Sequence, residues 1–180
     1  MSLTDDFLRA FRRAYAESEK VEECYRINSK GKKVGDERWT EAMGEVLNRV
    51  ADELGYDIKR ERGRVDFRLY KTDQSIAVEH ENDCKGIFRE ELPKLLDTQA
   101  DLRVLITYVS ANEFSKNNGE NLAERVEKTV VEQISRHGDA EVLLLLNRYG
   151  GRAWAKDPRS EPWICYRWRR QLVRQKLLVI

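Results

Sequence analysis

The stretch Arg64-Val65-Asp66-Phe67-Arg68-Leu69-Tyr70, followed after Lys71 to Ser75 by Ile76-Ala77-Val78-Glu79-His80-Glu81, reads as two strands joined by a turn. Both runs are rich in β-branched and aromatic residues, and Thr72-Asp73-Gln74-Ser75 between them is turn-like. Side chains alternate faces along a strand, so Glu79 and Glu81 share one side while Val78 and His80 take the other. Asp66 falls on the neighbouring strand. Three carboxylates gathered on one patch of sheet repel one another unless a cation lies between them, and hard oxygen ligands suit Mg²⁺ or Mn²⁺.

Working outward, the pattern before the hairpin is helical. Leu3, Phe7, Leu8, Phe11, Ala14 and Tyr15 form an apolar stripe that predicts one helix from about Thr4 to Tyr25, with Thr4 as its cap. Lys30, Lys32 and Lys33 mark a loop that reads first as a solvated lysine run and second as a phosphate-contacting loop. Trp39, Met43, Val46, Leu47, Val50 and Leu54 lie on one face of a helix over 37–54, and Gly55 ends it. Glu41 and Glu45 sit one above the other, away from the centre of that stripe.

After the hairpin a helix is expected from about Leu92 to Gln99, with Pro93 in its first turn. Leu102 to Val109 is nearly all apolar, as a strand buried on both faces would be. A further helix is expected over 120–136, and Val142 to Leu146 forms another buried strand. Helices alternating with strands imply an α/β protein, a central mixed sheet flanked by helices. The tail interleaves Trp163, Tyr166 and Trp168 with Arg167, Arg169 and Arg170, with a last strand over 163–168. Aromatic rings among arginines can stack on bases and hold phosphates, so Arg167, Trp168, Arg169 and Arg170 are the candidate nucleic-acid contacts.

The chain has 180 residues, which fits a single domain over 1–180. That domain comprises an N-terminal helix (1–27), a core (37–147) and an aromatic and basic extension (152–180). Charged residues make up 36% of the chain at a net charge of +1, so any nucleic-acid binding must come from a local patch. Cys24, Cys84 and Cys165 are widely spaced and odd in number, which argues against a disulfide framework or a zinc ribbon. The apolar runs are too short to span a membrane, and the first residues have no signal-like design, so a cytoplasmic protein is expected.

Asp66 and Glu79-His80-Glu81 resemble the motif of the PD-(D/E)xK nuclease superfamily, which includes restriction endonucleases and archaeal Holliday-junction resolvases. Val65-Asp66-Phe67 matches the family's aspartate, and Ala77-Val78-Glu79-His80-Glu81 its Glu-x-Lys strand. The helix ending at Gly55, and the later strand, helix and strand, follow the family's core order. Two departures stand out. No proline precedes Asp66, and the lysine position is Glu81, a Glu-x-Glu form that some restriction enzymes of this fold use. Lys85 or Lys71 is a candidate for the displaced ammonium group.

The resemblance implies a restriction-endonuclease-like core and a metal-dependent nuclease acting on nucleic acid, most simply DNA. Asp66, Glu79 and the backbone carbonyl of His80 would hold Mg²⁺ or Mn²⁺. Glu81 would ligate or orient the attacking water, and Glu45, ahead of Glu41, would approach from the first core helix. A homodimer fits the habit of such enzymes. Because the superfamily includes members without catalysis, Glu81 also supports the alternative of an inactive nuclease-like module that binds nucleic acid or a protein.

Overall fold

A computed structural model describes residues 2–29, 36–60, 65–81, 87–110, 122, 124–130, 132, 141–149, 163–168 and 175–179. The helices are α1 (Leu3–Glu17), α2 (Glu19–Ser29), α3 (Asp36–Leu54) and α4 (Leu92–Asp97), the last entered through a π-helical turn at Ile87–Glu91. Residues 124–130 are also helical. The strands are β1 (Asp57–Arg60), β2 (Phe67–Lys71), β3 (Gln74–Glu81), β4 (Leu102–Ser110), β5 (Glu141–Tyr149), β6 (Trp163–Trp168) and β7 (Gln175–Val179). They form one seven-stranded sheet in chain order. Pairing is parallel between β3 and β4 and between β4 and β5, and antiparallel elsewhere, so the sheet is mixed, as expected.

The two parallel pairs require crossovers. A right-handed crossover that keeps advancing in one direction places its helices on one face of the sheet. Accordingly Leu92, Leu95 and Leu96 of α4 and Val126 and Val130 pack with Ala77, Leu105 and Leu144 on what we call the second face. The first face carries Val78, Val104, Ile106 and Leu143, and is covered by α1, α2 and α3. β4 and β5 are therefore buried on both sides, which explains their unbroken apolar runs. Each leucine or valine buried there contributes about 1.5–3 kcal/mol of transfer free energy.

Local chemistry sets the helix ends. Gly55 takes a left-handed φ of 70°. The N–H of Gly55 then reaches Asp52 O at 3.3 Å and that of Tyr56 reaches Ala51 O at 2.8 Å, a Schellman closure that turns the chain into β1. The expected single N-terminal helix is instead two. Ser18 leaves the helical region at ψ 118°, and its hydroxyl accepts from Val21 N at 3.3 Å, starting α2. The cap of α1 is Ser2, whose hydroxyl accepts from Asp5 N at 3.2 Å while Asp5 accepts from Ser2 N at 3.2 Å. Thr4, expected as the cap, is buried and donates to Glu141 on β5.

The N-terminus of α1 is fastened to the sheet by Arg167 of β6. Its guanidinium bonds Glu141 Oε1 at 2.8 Å and Oε2 at 3.0 Å, Ser2 Oγ at 2.9 Å and Asp5 Oδ1 at 3.4 Å. The end of the chain, apolar in sequence, is β7, which pairs with β6 from Trp163↔Val179 to Arg167↔Gln175. No helix among the described residues is long and apolar enough to cross a membrane.

Candidate functional site

The β2–β3 register pairs Phe67 with Val78. One step further, Asp66 falls beside Glu79, and the chain bends there so that Asp66 is half-buried and outside the ladder. Its Oδ2 accepts the His80 backbone N–H at 3.0 Å, which fixes the carboxylate against β3. Alternation along β3 turns Glu79 to the second face and His80 to the first.

Glu79 is completely buried, and neither of its oxygens has a hydrogen-bond donor. Burial, then the nearby charges of Asp66 and Glu91, raise the Glu79 carboxyl far above the usual carboxylate range. Glu91, at the end of the π-helical turn, in turn accepts from Lys94 Nζ at 3.2 and 3.3 Å. Burial works against the Lys94 charge, but the bond to Glu91 and the charges of Glu91, Glu79 and Glu90 outweigh it and raise its pKa. The site is thus Asp66, Glu79, Glu91 and Lys94, at the carboxyl end of a strand in an open α/β sheet, where such sheets bind ligands.

Glu91 and Lys94 are absent from the sequence-level candidates. Both lie on a turn and a helix only a few residues long, whose orientation depends on the β3–β4 crossover. The one sequence signal was a Glu-x-x-Lys pair just after the Glu-x-Glu strand.

The other candidates are placed as follows. Glu81 ends β3 half-buried on the same face as Glu79. His80 is buried, with Nε2 3.2 Å from the Tyr108 hydroxyl, and burial lowers its pKa to about 4, so the ring is neutral. Glu45 is not brought to the carboxylates. The helix α3 covers the first face, and there Glu45 accepts from Ser18 Oγ at 3.2 Å and pairs with Arg49 at 3.2 Å. Glu41 lines a cleft of about 260 Å³ with Lys20, Glu23, Cys24, Ile27 and Arg38, between α2 and α3. Lys71 lies 4.4 Å over the Tyr56 ring and is spent there, while Lys85 falls outside the described residues.

The tail is also reassigned. Arg167 is buried and engaged by Glu141, Asp5 and Ser2, and Trp168 is fully buried against Tyr166, so neither is presented to a nucleic acid. Arg169 and Arg170 lie outside the described residues. Lys59 is exposed on β1, across from a half-buried Arg68 whose guanidinium donates to Gln99 O at 3.0 Å, and Tyr70 on β2 is exposed.

The fit to a divalent cation rests on oxygen. Glu79 offers two oxygens without donors, and Asp66 has one left after binding His80 N–H. Among the described residues, no three His, Cys, Asp or Glu side chains are grouped closely enough to hold an ion by themselves. Two carboxylates completed by a backbone carbonyl such as that of His80, solvent and a substrate phosphate is a set that Mg²⁺ accepts. No protein-family model matches this chain, and neither does any curated protein.

Proposed function

We propose that the chain is a metal-dependent nuclease with a restriction-endonuclease-like core, hydrolysing phosphodiester bonds of DNA. The observation that carries this reading is the fully buried Glu79, with both oxygens lacking donors, beside Asp66 at the carboxyl end of β3. A group so costly to bury is retained where it holds something absent from the bare protein.

When bound, a Mg²⁺ or Mn²⁺ ion neutralises charge at the scissile phosphate and acidifies a water. Asp66 and Glu79 are the residues that would hold it, with the His80 carbonyl. Burial holds a proton on Glu79 that a cation would have to displace, so metal affinity would rise with pH. Lys94, brought by α4, supplies next to Glu79 the ammonium group that Glu81 does not, and can stabilise phosphate charge. Glu81 orients the attacking water from the same face. The exposed Lys59 and Tyr70 on the adjoining strands offer a surface for the nucleic-acid strand.

The second reading is a nuclease-like module without catalysis, and Glu81 at the lysine position is what favours it. Cleavage of duplex, single-stranded and branched DNA and of RNA, with Mg²⁺, Mn²⁺ or EDTA, separates the two. Metal-dependent products from wild-type protein, missing in Glu79→Gln, support the nuclease. No products and no Mn²⁺ binding would leave the binding module.

A further inference from the structure

Beside Glu79 the second face buries another polar atom without a partner. Thr107 of β4 is fully buried, and its hydroxyl makes no hydrogen bond. The parallel register of β3 and β4 pairs Glu79 with Leu105 and Glu81 with Thr107. Leu105 belongs to the second face, so Thr107, two residues on, belongs to it too. Its side chain therefore stands next to Glu81, one strand spacing of about 4.8 Å away, and diagonally from Glu79.

A buried threonine hydroxyl normally bonds a carbonyl in its own or a neighbouring strand, because leaving it bare forfeits its hydration. Here a bare hydroxyl and a bare carboxylate lie on one face of neighbouring strands. Valine would fill the same space and suit the strand better if packing were all that mattered. The two unmet groups have one need in common, an oxygen-rich guest between them.

We infer that Thr107 is a positioning residue of the carboxylate site, its hydroxyl bonding an oxygen ligand, water or phosphate, of the cation held over Asp66 and Glu79. This rests on the nuclease reading and extends it to a residue outside the Asp66 and Glu79 motif. A hydroxyl accepts from a water and donates to a phosphate oxygen equally well, so it can serve both before and during attack. It acts through the ligand's orientation and carries no charge to the metal. Losing it is an outer-shell loss, expected to weaken metal affinity roughly 10–100-fold.

The test uses the full chain with Thr107→Val, Thr107→Ala and Thr107→Ser. Mn²⁺ binding is followed by calorimetry, and thermal unfolding is measured in EDTA. Thr107→Val should bind Mn²⁺ at least about tenfold more weakly, yet unfold in EDTA no earlier than wild type, because it removes an unsatisfied buried group. If the valine variant does not fold, the serine and alanine pair decides. Their side chains are nearly equal in size, so a stronger Mn²⁺ affinity in Thr107→Ser reads the hydroxyl alone. Unchanged Mn²⁺ affinity in the variants, or earlier unfolding of Thr107→Val in EDTA, overturns the inference and makes the hydroxyl structural. Glu79→Gln in the same titration tells the failures apart. If it alone loses Mn²⁺, the carboxylate site stands without Thr107; if wild type binds no Mn²⁺, both fall.

Discussion

Among the described residues a cluster of charge lies against each face of the sheet, and the two differ in completeness. On the first face Arg167 meets both oxygens of Glu141, and Ser2, Thr4 and Asp5 from the α1 terminus surround the pair. Every charge there has an opposite charge or a donor. On the second face the charges of Asp66 and Glu91 press on the buried Glu79 carboxyl, and the ammonium group of Lys94 bonds Glu91 and not Glu79. The first arrangement is what a fold needs to hold a helix end on a sheet. The second raises the free energy of the bare protein, and such strain persists where a ligand relieves it. The contrast separates a structural ion pair from a candidate site without appeal to motif.

The sharpest way to break the contrast is to remove the unsatisfied carboxyl group. Glu79→Gln, and likewise Asp66→Asn, should reduce metal-dependent cleavage on the order of 10³-fold or more, about 4 kcal/mol of transition-state stabilisation. In EDTA neither variant should unfold more easily than wild type, since Glu79→Gln replaces a buried carboxyl that already keeps its proton and Asp66→Asn removes a negative charge beside it. Gel assays of cleavage and urea titrations check the two halves. A Glu79→Gln protein that cleaves normally would place the chemistry elsewhere.

The completed cluster should answer in the opposite way. Arg167→Met leaves Glu141 and Thr4 in a part-buried site without the guanidinium, and breaking such a pair from one side costs about 3–5 kcal/mol. Urea denaturation should show this loss at neutral pH, with cleavage by the folded fraction intact. A loss below about 1 kcal/mol would mean that the pair behaves as a surface salt bridge, and the contrast would fail.

How much of this was legible beforehand follows from where the information sits. β4 and β5 could be read because a strand buried on both faces needs no periodicity, only an unbroken apolar run. The end of α3 could be read because only glycine takes the left-handed turn at position 55 without strain. The break at Ser18 could not, since the apolar stripe of α1 resumes at Val21 and Cys24 and masks it. In the tail, Trp163, Cys165 and Arg167 face one way and Ile164, Tyr166 and Trp168 the other. With the whole strand buried, aromatic and basic letters carry a packing message that looks like a binding one. The partner that settles Arg167 is Glu141, on another strand. Asp66 and Glu79 were visible as a motif, whereas Glu91, Lys94 and Thr107 enter only through the β3–β4 crossover. Glu45 was assigned through the resemblance, and α3 turns out to cover the face opposite Glu79.

Lys94 tests whether the ammonium of the second cluster works in catalysis or only balances charge. Its side chain is 38% exposed, so its pair with Glu91 contributes little to stability, within about 0.5 kcal/mol. Lys94→Met should therefore leave urea denaturation nearly unchanged while cutting cleavage roughly tenfold to a hundredfold. Lys94→Arg should recover part of the rate, and equal activity in the methionine variant would confine the lysine to charge balance.

The pH dependence of stability is the most finely balanced test near neutrality, where adjacent residues on opposite faces work against each other. In EDTA the folded protein keeps a proton on Glu79 that the unfolded chain releases above about pH 4.3, because burial and the charges of Asp66 and Glu91 raise that carboxyl. From there upward stability falls with pH, by at most about 1.4 kcal/mol per unit. His80 acts in reverse: burial lowers its pKa from 6.5 to about 4, so between those values the unfolded chain binds a proton that the folded one refuses. Its contribution is full above pH 6.5 and is lost as pH falls toward 4. The two slopes nearly cancel between about pH 4.5 and 6.5, leaving a plateau, and above it only the decline from Glu79 remains. Glu79→Gln removes one slope and exposes the other. Its stability should rise from about pH 4 to 6.5 and then stay level, and the two curves should separate further at alkaline pH. Urea midpoints at half-unit steps would show this. Parallel curves for the two proteins would mean that the Glu79 carboxyl holds no extra proton in the fold, and the unsatisfied cluster would no longer differ from the completed one.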